Sequence, residues 1–350
     1  MEPVRVGVIG CGVIGRHHMD TAVRSPELEL VAAADLIPEN REQATERFHP
    51  KRMYENGEAL LEDDEVEAVV LAFPTKWRTE MGLKALAAGK HLLTEKPVAM
   101  NSDEVRRLIA AKGELVAACC SSRYRFTEGA RVATEFIGTG ALGELRIVRH
   151  RNINPAREKP ETPRPEWRLK KALNGGGYLV NWGCYDLDYL LGITGWTLKP
   201  IKVFAQTWTI PPIFESHIAP GSDAETHYIA LVECEGGTIL SVERSEYTAA
   251  GSDEAWGVIG SQGSLRLFMT HARPNRIVFD EANEEKGVET RTLWEGEETR
   301  SVHDGPLTDL ARAIREGTEP KTSLERALVV QQITDAIYAS AAAGTAVDVV

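Results

Sequence analysis

The chain has 350 residues, of which 43% are hydrophobic and 26% charged, the composition of an ordinary soluble globular protein. Its length favours two domains over a single core. A formal net charge of −12 argues against general affinity for nucleic acid or an anionic membrane. No apolar run approaches the roughly 20 residues that cross a bilayer.

The five cysteines show no metal-type spacing and no disulfide framework, and a strand follows the N-terminus directly. We therefore expect a reduced, cytoplasmic protein without a metal site.

A dinucleotide-binding pattern opens the chain. Val4–Ile9 is an apolar, β-branched run, typical of a strand buried on both faces of a parallel sheet. The sequence GCGVIG at 10–15 follows at once, and a helical stretch covers about 13–23. In this context the first glycine makes a tight turn, the second lets backbone reach a pyrophosphate, and the third allows helix packing. The predicted cofactor contacts are Gly10, Cys11, Gly12, Val13 and Ile14.

A second buried strand, Leu28–Ala34, ends in Asp35, 20 residues after Gly15. A carboxylate at this position accepts hydrogen bonds from the adenosine ribose and repels a 2′-phosphate, so the sequence predicts NAD rather than NADP.

His17 and His18 follow the glycine loop. Adjacent helical residues point about 100° apart, so we expect packing or phosphate-adjacent roles for them rather than a shared metal.

Helices and strands continue to alternate up to residue 120. Helices are predicted at 41–48, 59–63 and 77–88, and strands at 68–73, 91–93 and 115–120. Loops at the carboxyl ends of parallel strands line the ligand crevice. We therefore predict cofactor contacts at Phe73, Pro74 and Thr75 after one strand, and at Glu95 and Lys96 after the next. A solvated surface role for Lys96 is the alternative, and either isomer of the Lys96–Pro97 bond is compatible with the sequence.

A glycine triplet and a polar helix mark the second half of the chain. Residues 175–177 lack Cβ atoms, which allows a ligand or another backbone to come close. In the helical run that follows, Asn181, Tyr185 and Asp188 recur at i, i+4 and i+7, so a regular helix places them on one face. This pattern fits a face that looks into a cavity. It also fits a buried helix whose polar groups satisfy one another.

Several motifs occur together in the order of one family. They are the glycine loop, Asp35, Glu95-Lys96-Pro97, Arg125-Phe126, Trp167-Arg168 and the pattern GGG-x3-Asn-x3-Tyr-x2-Asp at 175–188. On these residues the chain resembles the glucose–fructose oxidoreductase / inositol dehydrogenase / MocA family over essentially its whole length. The resemblance implies an α/β fold with an N-terminal Rossmann domain, here 1–125. It also implies a C-terminal α/β domain, 126–350, with a large open, mostly antiparallel sheet. A helix at about 324–341 would pack back on the first domain.

The resemblance also implies roles for single residues. Lys96 would lie between the nicotinamide and the substrate hydroxyl, and Tyr185 would transfer the proton, as in the tyrosine branches of the family. A free phenol has a pKa near 10, so Tyr185 needs a nearby cation, for which Lys96 is the candidate. Asn181 stands where Asp is common and can orient a hydroxyl but cannot act as a base. The substrate-binding candidates are Arg123, Trp167, Arg168, Asn181 and Asp188.

Residues 143–171 are basic in an acidic protein, with nine Lys or Arg against four Glu, which leaves +5. One interpretation is a solvated linking loop paired with acidic neighbours. The other is an anionic substrate, such as a uronate, a sulfonated sugar or a sugar phosphate, clamped by guanidinium groups that include Arg123 and Arg168.

Strands dominate after residue 191. They are predicted at 201–210, 226–234, 238–247, 255–260 and 264–269, with edge strands at 276–280 and 290–294. Glu235-Gly236-Gly237 is a hairpin turn, and 211–223 is a long loop that could cover the site or a neighbouring subunit. Amphipathic helices are predicted at 307–316 and 324–341. A sheet this open needs covering, and family members pair such sheets, so we expect a homodimer or homotetramer.

The leading interpretation is an NAD-dependent sugar or polyol dehydrogenase. A first alternative is a redox-neutral glycoside hydrolase, which oxidises, eliminates, adds water and re-reduces, as some relatives do. A second is a non-catalytic NAD-binding regulator of the same fold, against which the intact Lys96 and Tyr185 argue.

Overall fold

The computed structural model describes residues 2–270, 275–297 and 301–350. The chain divides into two compact units. One comprises Met1–Arg123 and Ser301–Gln331, and the other Tyr124–Arg300 and Gln332–Val350. The sequence predicts a single domain boundary at residue 125. In the structure, residues 301–331 also belong to the first unit. Among the described residues, no helix is long and apolar enough to cross a membrane.

The first unit is a doubly wound α/β domain. Its strands are β1 (Val4–Ile9), β2 (Leu28–Ala34), β3 (Arg52–Tyr54), β4 (Ala68–Leu71), β5 (His91–Thr94) and β6 (Ala117–Cys119). Its helices up to residue 123 are α1 (Val13–Arg24), α2 (Pro38–Phe48), α3 (Gly57–Leu61), α4 (Arg78–Ala87) and α5 (Ser102–Lys112). The strands form one parallel sheet in the order β3-β2-β1-β4-β5-β6. This order confirms the predicted Rossmann fold.

The second unit is built on a large mixed sheet. Its elements before residue 298 are α6 (Glu128–Gly138), β7 (Leu145–Pro155), α7 (Lys171–Asn174), α8 (Cys184–Ile193), β8 (Pro200–Trp208), β9 (His227–Cys234), β10 (Ile239–Thr248), β11 (Asp253–Gly260), β12 (Gly263–Leu267), β13 (Arg276–Asn283) and β14 (Gly287–Glu295). The last elements of the chain are α9 (Asp304–Glu316), α10 (Leu324–Ala343) and β15 (Val347–Asp348). The strand order is β14-β13-β12-β11-β7-β10-β9-β8-β15. Neighbours are antiparallel except β7 and β10, which confirms the expected mostly antiparallel sheet.

The terminal helices contribute to the core of the first unit. Leu307 and Leu310 of α9 pack in the cluster that holds Val4 and Val6 of β1. Leu324, at the start of α10, packs in a second cluster, which includes Val69 and Leu71 of β4. Both ends of the sequence therefore supply apolar residues to the same parallel sheet.

Two helices that are not among the elements predicted from the sequence begin at capping side chains. Asn101 Oδ1 accepts a hydrogen bond from the Glu104 N–H at 3.0 Å, where α5 begins. Thr127 Oγ1 accepts one from the Ala130 N–H at 3.2 Å, where α6 begins. Asn and Thr are favoured at this position because they satisfy an N–H without a partner inside the helix.

The interpretation of 143–171 as a linking loop is wrong for its first part. Residues Leu145–Pro155 form β7, which lies between β10 and β11 inside the large sheet. Buried Val148 and His150 alternate with exposed Arg149 and Arg151. Such alternation is typical of a strand with one solvated face. The outward arginines hid this pattern in the sequence.

The inward side of the large sheet holds a buried ion pair with α8. The Asp186 carboxylate accepts hydrogen bonds from Arg244 Nε and Nη2 at 2.6 and 2.7 Å. His150 Nε2 lies 3.1 Å from the same carboxylate, at ion-pair distance but without hydrogen-bond geometry. Burial alone would raise the pKa of Asp186, but the charges of Arg244 and His150 outweigh burial and hold this pKa well below its usual range.

We expect Asp186→Asn to lower the free energy of unfolding by about 3–5 kcal/mol, because Arg244 would remain buried without its counter-charge. An Asp whose pKa is lowered stabilises the fold above its unfolded-state pKa, near 4, and loses this contribution only as the pH falls below that value. The loss should therefore be measured by urea denaturation at pH 8, well above this value and where an ordinary histidine is mostly neutral.

Asp280→Asn is the matched control. Asp280 pairs with Arg266 at 2.9 Å on the surface, where Arg266 is mostly exposed. Such pairs contribute about 0–1 kcal/mol. Equal losses in the two variants would contradict the importance given to the buried pair.

Candidate functional site

The glycine loop between β1 and α1 is shaped by close backbone contacts. Gly10 has a φ of +96°, and a Cβ at this position would lie 2.6 Å from the Ala72 carbonyl oxygen. A Cβ at Gly15 would lie 1.8 Å from the Gly10 carbonyl oxygen. Gly12 differs, because a Cβ there would meet no described atom within 4 Å. Gly10 and Gly15 thus allow segments of the backbone to pack closely, whereas Gly12 leaves open space above the backbone.

This open space lies at the start of α1. Gly12 is the residue that precedes the helix, and its position carries no side-chain cap. The first N–H groups of a helix have no partner inside it and form a natural site for a phosphate. Cys11 to Ile14 supply this backbone, and their contact with a cofactor stays a prediction.

Asp35 is held beside the glycine loop. Its Oδ2 accepts a hydrogen bond from the Cys11 N–H at 2.6 Å, and its Oδ1 accepts one from the Ile37 N–H at 2.8 Å. The carboxylate at the end of β2 is thereby fixed next to the loop that follows β1. This geometry fits a dinucleotide whose ribose hydroxyls donate to Asp35.

The loop after β4 also reaches this edge of the sheet. Phe73 and Pro74 are half-buried, and Phe73 packs against the core. Thr75 is buried, and its hydroxyl accepts a hydrogen bond from Arg78 Nη2 at 2.7 Å. Phe73 and Pro74 keep surface that a cofactor could contact, whereas Thr75 anchors the loop.

Glu95, which follows β5, lies in a buried hydrogen-bond network. Its Oε1 lies 2.9 Å from His18 Nε2 and accepts a hydrogen bond from Arg123 Nη2 at 2.8 Å. Its Oε2 accepts the Lys96 backbone N–H at 3.1 Å. Burial would raise the pKa of Glu95, but Arg123 and His18 outweigh it and keep this pKa well below its usual range. The ionised carboxylate therefore holds the backbone of Lys96, and the Lys96–Pro97 bond is cis.

The same network answers two expectations from the sequence. Arg123, predicted to bind substrate, is 5% exposed and donates to Glu95. His17 and His18 were expected in packing or phosphate-adjacent roles. His17 stacks on His303 at 4.5 Å between ring centroids, and His18 contacts Glu95.

Three of these groups have the spacing of metal ligands. Ligand atoms of His18, Glu95 and Cys120 lie within 4.8 Å of one another. However, the Arg123 guanidinium already places a positive charge on Glu95. Burial and the charge of Glu95 also raise the pKa of the Cys120 thiol, which disfavours the thiolate that a metal needs. We therefore assign this cluster to hydrogen bonding.

In the second unit, the glycine triplet allows other segments of the chain to approach its backbone closely. A Cβ at Gly177 would lie 1.9 Å from the Glu225 carbonyl oxygen, and one at Gly176 would lie 1.9 Å from the Tyr338 hydroxyl. The buried Glu225 carboxylate accepts hydrogen bonds from the N–H groups of Gly177 and Leu179, each at 3.0 Å, and from the Tyr338 hydroxyl at 2.9 Å. Burial raises the pKa of Glu225. Of the two explanations left open by the sequence, the structure shows the approach of another backbone.

The helix after the triplet is irregular. Leu179–Gly183 forms a π-helical turn, and α8 begins directly after it. A π-turn is wider than an α-turn and often occurs at functional sites. The i, i+4, i+7 rule of a regular α-helix therefore does not hold across this segment, and the three predicted polar residues have different surroundings.

Tyr185 lies in an aromatic cluster. Its ring centroid is 5.3 Å from that of Tyr124 and 5.7 Å from that of Trp182, both in edge-on geometry. The Arg244 guanidinium lies over the other ring partner, Trp182, at 5.0 Å. Because Arg244 is bound to Asp186, the ion pair beneath α8 also supports the aromatic cluster around Tyr185.

The remaining predicted substrate residues divide into two groups. Asn181 Nδ2 donates to the Arg168 and Gly177 carbonyl oxygens, each at 2.8 Å. The Arg168 guanidinium lies 5.9 Å from the Trp167 ring, and both residues are half-buried. Asp188 is fully buried and accepts a hydrogen bond from Arg125 Nε. Asn181, Trp167 and Arg168 thus come together, whereas Asp188 contributes to the interior.

Sequence reasoning missed the residues that hold these segments. Glu225 lies 48 positions after Gly177, Arg244 lies 58 after Asp186, and His18 lies 77 before Glu95. No local pattern joins such pairs. The only signal was the presence of polar residues inside otherwise apolar strands and helices.

Comparison with known proteins agrees with this geometry. Residues 4–119 match the family model described as "Oxidoreductase family, NAD-binding Rossmann fold". Residues 130–266 match the "GFO/IDH/MocA C-terminal domain". The two matches fall in the first and the second unit, respectively.

Several curated proteins are similar over nearly their full length. Myo-inositol 2-dehydrogenase of Thermotoga maritima is 25% identical over 92% of this chain and 91% of its own. Levoglucosan dehydrogenase of Pseudarthrobacter phenanthrenivorans is 24% identical over 100% and 99%. D-Glucoside 3-dehydrogenase of Escherichia coli is 24% identical over 99% and 98%.

Solved structures show the same fold. A levoglucosan dehydrogenase in complex with NADH and L-sorbose superposes with a TM-score of 0.87 at 22% identity, and both chains are covered completely. Another complex of a levoglucosan dehydrogenase, with NADH, gives a TM-score of 0.86. The chain therefore belongs to the GFO/IDH/MocA family of NAD-dependent oxidoreductases, in which the relatives named above are sugar and cyclitol dehydrogenases.

Proposed function

We propose that this enzyme transfers a hydride between a ring carbinol carbon of a sugar or cyclitol and the nicotinamide of NAD. One observation carries the proposal. Lys96 follows β5 at the same edge of the parallel sheet as the glycine loop after β1, and Glu95 holds its backbone there. Ligands of doubly wound sheets bind at this edge. A cation at that position suits a reacting hydroxyl.

The glycine loop and Asp35 would hold NAD, which supplies the hydride acceptor or donor when bound. The open space at Gly12 admits the pyrophosphate, and the N–H groups at the start of α1 point to it. Asp35 would accept hydrogen bonds from the adenosine ribose and disfavour a 2′-phosphate.

Tyr185 would exchange the proton of the substrate hydroxyl. During oxidation the hydride would pass from the carbinol carbon to the nicotinamide, and the hydroxyl proton would pass to the Tyr185 phenolate, which becomes a neutral phenol as the carbonyl forms. Two aromatic contacts and the ion pair beneath α8 support its ring. A rigid acid–base residue is effective because its geometry requires no rearrangement in the transition state. Asn181, Trp167 and Arg168 would position the sugar.

The relatives support the class of substrate. Inositol, levoglucosan and glucosides, named for three of them, are rings that carry several hydroxyl groups. We infer a substrate of the same class for this enzyme. The redox-neutral hydrolase remains the competing interpretation, and the assay below separates the two.

We further infer that the outward face of the large sheet binds a second copy of the chain. Phe204 and Trp208 of β8 and Ile229 and Leu231 of β9 are exposed on it. Phe204 lies directly opposite Leu231 in the antiparallel register. Adjoining exposed apolar residues on a sheet commonly mark an interface.

We expect the protein to work in a reducing compartment, the cytoplasm. All five cysteines are free and buried, which leaves the fold independent of disulfides.

Tyr185→Phe and Lys96→Met should each lower kcat by about 10²-fold or more, because each removes a group that handles the hydroxyl proton. Both variants should still bind NAD. The assay uses NAD with inositols, aldoses, uronates and aryl glycosides, and it follows NADH absorbance and released aglycone in the same wells.

The matched controls are Tyr189→Phe, one turn further along α8, and Lys84→Met on the surface of α4. Both should retain activity. Near-native turnover in Tyr185→Phe and Lys96→Met would refute the assignment. Release of aglycone without net NADH would establish the redox-neutral hydrolase instead.

Gly12→Ala should weaken NAD binding by about tenfold or more and leave thermal stability unchanged. A methyl group there meets no described atom of the chain but occupies the space where backbone must approach the pyrophosphate. Gly15→Ala should lower the melting temperature, since its methyl group would collide with the Gly10 carbonyl. NADH fluorescence titration and thermal denaturation measure the two effects. Unchanged NAD affinity in Gly12→Ala would contradict the site.

Phe204→Glu should shift the protein to a smaller species in size-exclusion chromatography with light scattering, because a carboxylate would be buried in the interface. Val288→Glu, on the edge strand β14, is the control and should leave the mass unchanged. A wild-type monomer, or a Phe204→Glu protein of unchanged mass, would refute the interface.

A further inference from the structure

A pocket inside the second unit is lined by two guanidinium groups. Its enclosed volume is about 10 Å³, and its walls include Arg164, Arg168, Tyr178, Asn181, Ser222 and Tyr247. This is about the space that one water-sized group needs. The pocket therefore admits one oxygen of an acidic substituent.

Arg168 brings a positive charge without a direct counter-charge. Asn181 Nδ2 binds its carbonyl oxygen at 2.8 Å, and the guanidinium lies 5.9 Å from the Trp167 ring. Within 2–270, 275–297 and 301–350, Arg168 makes no ion pair with a carboxylate. Arg164, by contrast, is positioned by its neighbours. Its Nη1 donates to the Tyr178 hydroxyl at 3.2 Å and lies 3.5 Å from Glu246 Oε2.

The charges near the pocket sum to +1. Arg164 and Arg168 contribute two positive charges and Glu246 one negative charge. Glu246 also accepts a hydrogen bond from the Tyr178 hydroxyl at 2.5 Å, so part of its capacity to accept hydrogen bonds is already used. A guanidinium has five N–H donors in a planar fork, and one Nη1 contact leaves Arg164 with donors for a ligand.

The backbone at Tyr247 is strained where it forms the pocket wall. Its φ is +59°, in the left-handed region that a tyrosine rarely adopts. The strain coincides with a register shift between β10 and β7, between Ser245 and Thr248. Strain of this kind persists where a side chain must be held at a binding site.

We propose that this pocket binds an anionic group of the substrate, a carboxylate, phosphate or sulfonate, and that the enzyme therefore prefers acidic sugars. The inference rests on the proposed function and specifies its substrate. Asn181 in the pocket wall lies four residues before Tyr185, so the acidic group binds beside the helix that carries the proton-transferring residue. Arg–carboxylate contacts are charge-assisted and directional, which makes them effective for specificity.

The clamp differs from the one expected from the sequence. Arg164 takes the place of Arg123, because Arg123 is buried and donates to Glu95. Arg168 lies in a short 3₁₀ helix, Glu166–Leu169, and Arg164 lies two residues before this helix, so a local segment carries both cations.

The test compares acidic sugars with neutral counterparts on the full-length enzyme with NAD. The pairs are D-glucuronate with D-glucose and D-galacturonate with D-galactose, and D-glucose 6-phosphate and 6-sulfo-6-deoxyglucose distinguish the kinds of anion. The variants are Arg164→Gln and Arg168→Gln. Lys171→Gln is the control, since it removes the same charge from an exposed residue close in sequence that does not line the pocket.

Wild type should show a higher kcat/KM for the preferred acid than for its neutral counterpart. Arg164→Gln should raise KM for the acid by about tenfold or more, change kcat by less than about threefold and leave the neutral sugar unaffected. Arg168→Gln, which would also lose a contact with the sugar ring, should raise KM for the acid at least about tenfold more than it raises KM for the neutral sugar. Lys171→Gln should behave like wild type. Equal preference for acid and neutral sugar in wild type, or equal losses for both in the variants, would overturn the inference.

Isothermal titration with the same sugars separates this inference from the proposed function. Binding of an acid that disappears in Arg168→Gln, with no NADH formed from any sugar, would support the pocket and refute the dehydrogenase. NADH formed from neutral sugars alone, with no binding of any acid, would support the dehydrogenase and refute the pocket.

Discussion

The buried pair of Asp186 and Arg244 holds α8, the helix that carries the proposed proton-transferring residue Tyr185. Two short hydrogen bonds join α8 to β10, and Arg244 also covers the ring of Trp182 beside Tyr185. An ion pair removed from water stabilises a fold only when its geometry is good, and breaking it leaves an uncompensated buried charge. The pair therefore resists displacement of the helix. A rigid position suits the proposed proton-transferring residue, Tyr185.

The first unit also contains a buried, ionised carboxylate that holds a neighbouring segment in position. Glu95 is ionised in the interior, with Arg123 and His18 on one oxygen and the Lys96 N–H on the other. A charge buried in this way is expensive to move, so it holds the loop after β5 in place. Both proposed catalytic residues therefore follow or neighbour a buried carboxylate whose role is structural. In each case the carboxylate is adjacent in sequence to the residue it supports.

The basic side chains of residues 143–171 lie in two different surroundings. Arg149 and Arg151 point outward from β7, where they solvate one face of the large sheet. Arg164 and Arg168 line a pocket next to the helix that carries Tyr185. A total charge counted over a segment cannot distinguish these cases, because a strand sends alternate residues to opposite faces. Only the second pair belongs to the proposed substrate site.

The sequence alone determined the parallel sheet, the glycine loop, Asp35 and Lys96, because these depend on local patterns of apolar residues, glycines and turns. It also indicated most strands of the large sheet, but not β7, whose outward arginines mask its alternation. Tertiary structure decided what the polar residues contact. Asn181, Tyr185 and Asp188 follow a helical spacing, yet a π-turn and distant partners give each its own surroundings. Glu225 and Arg244 lie far along the chain from the groups they bind. A hydrogen bond depends on distances of about 3 Å in space, and only folding brings such residues within that range.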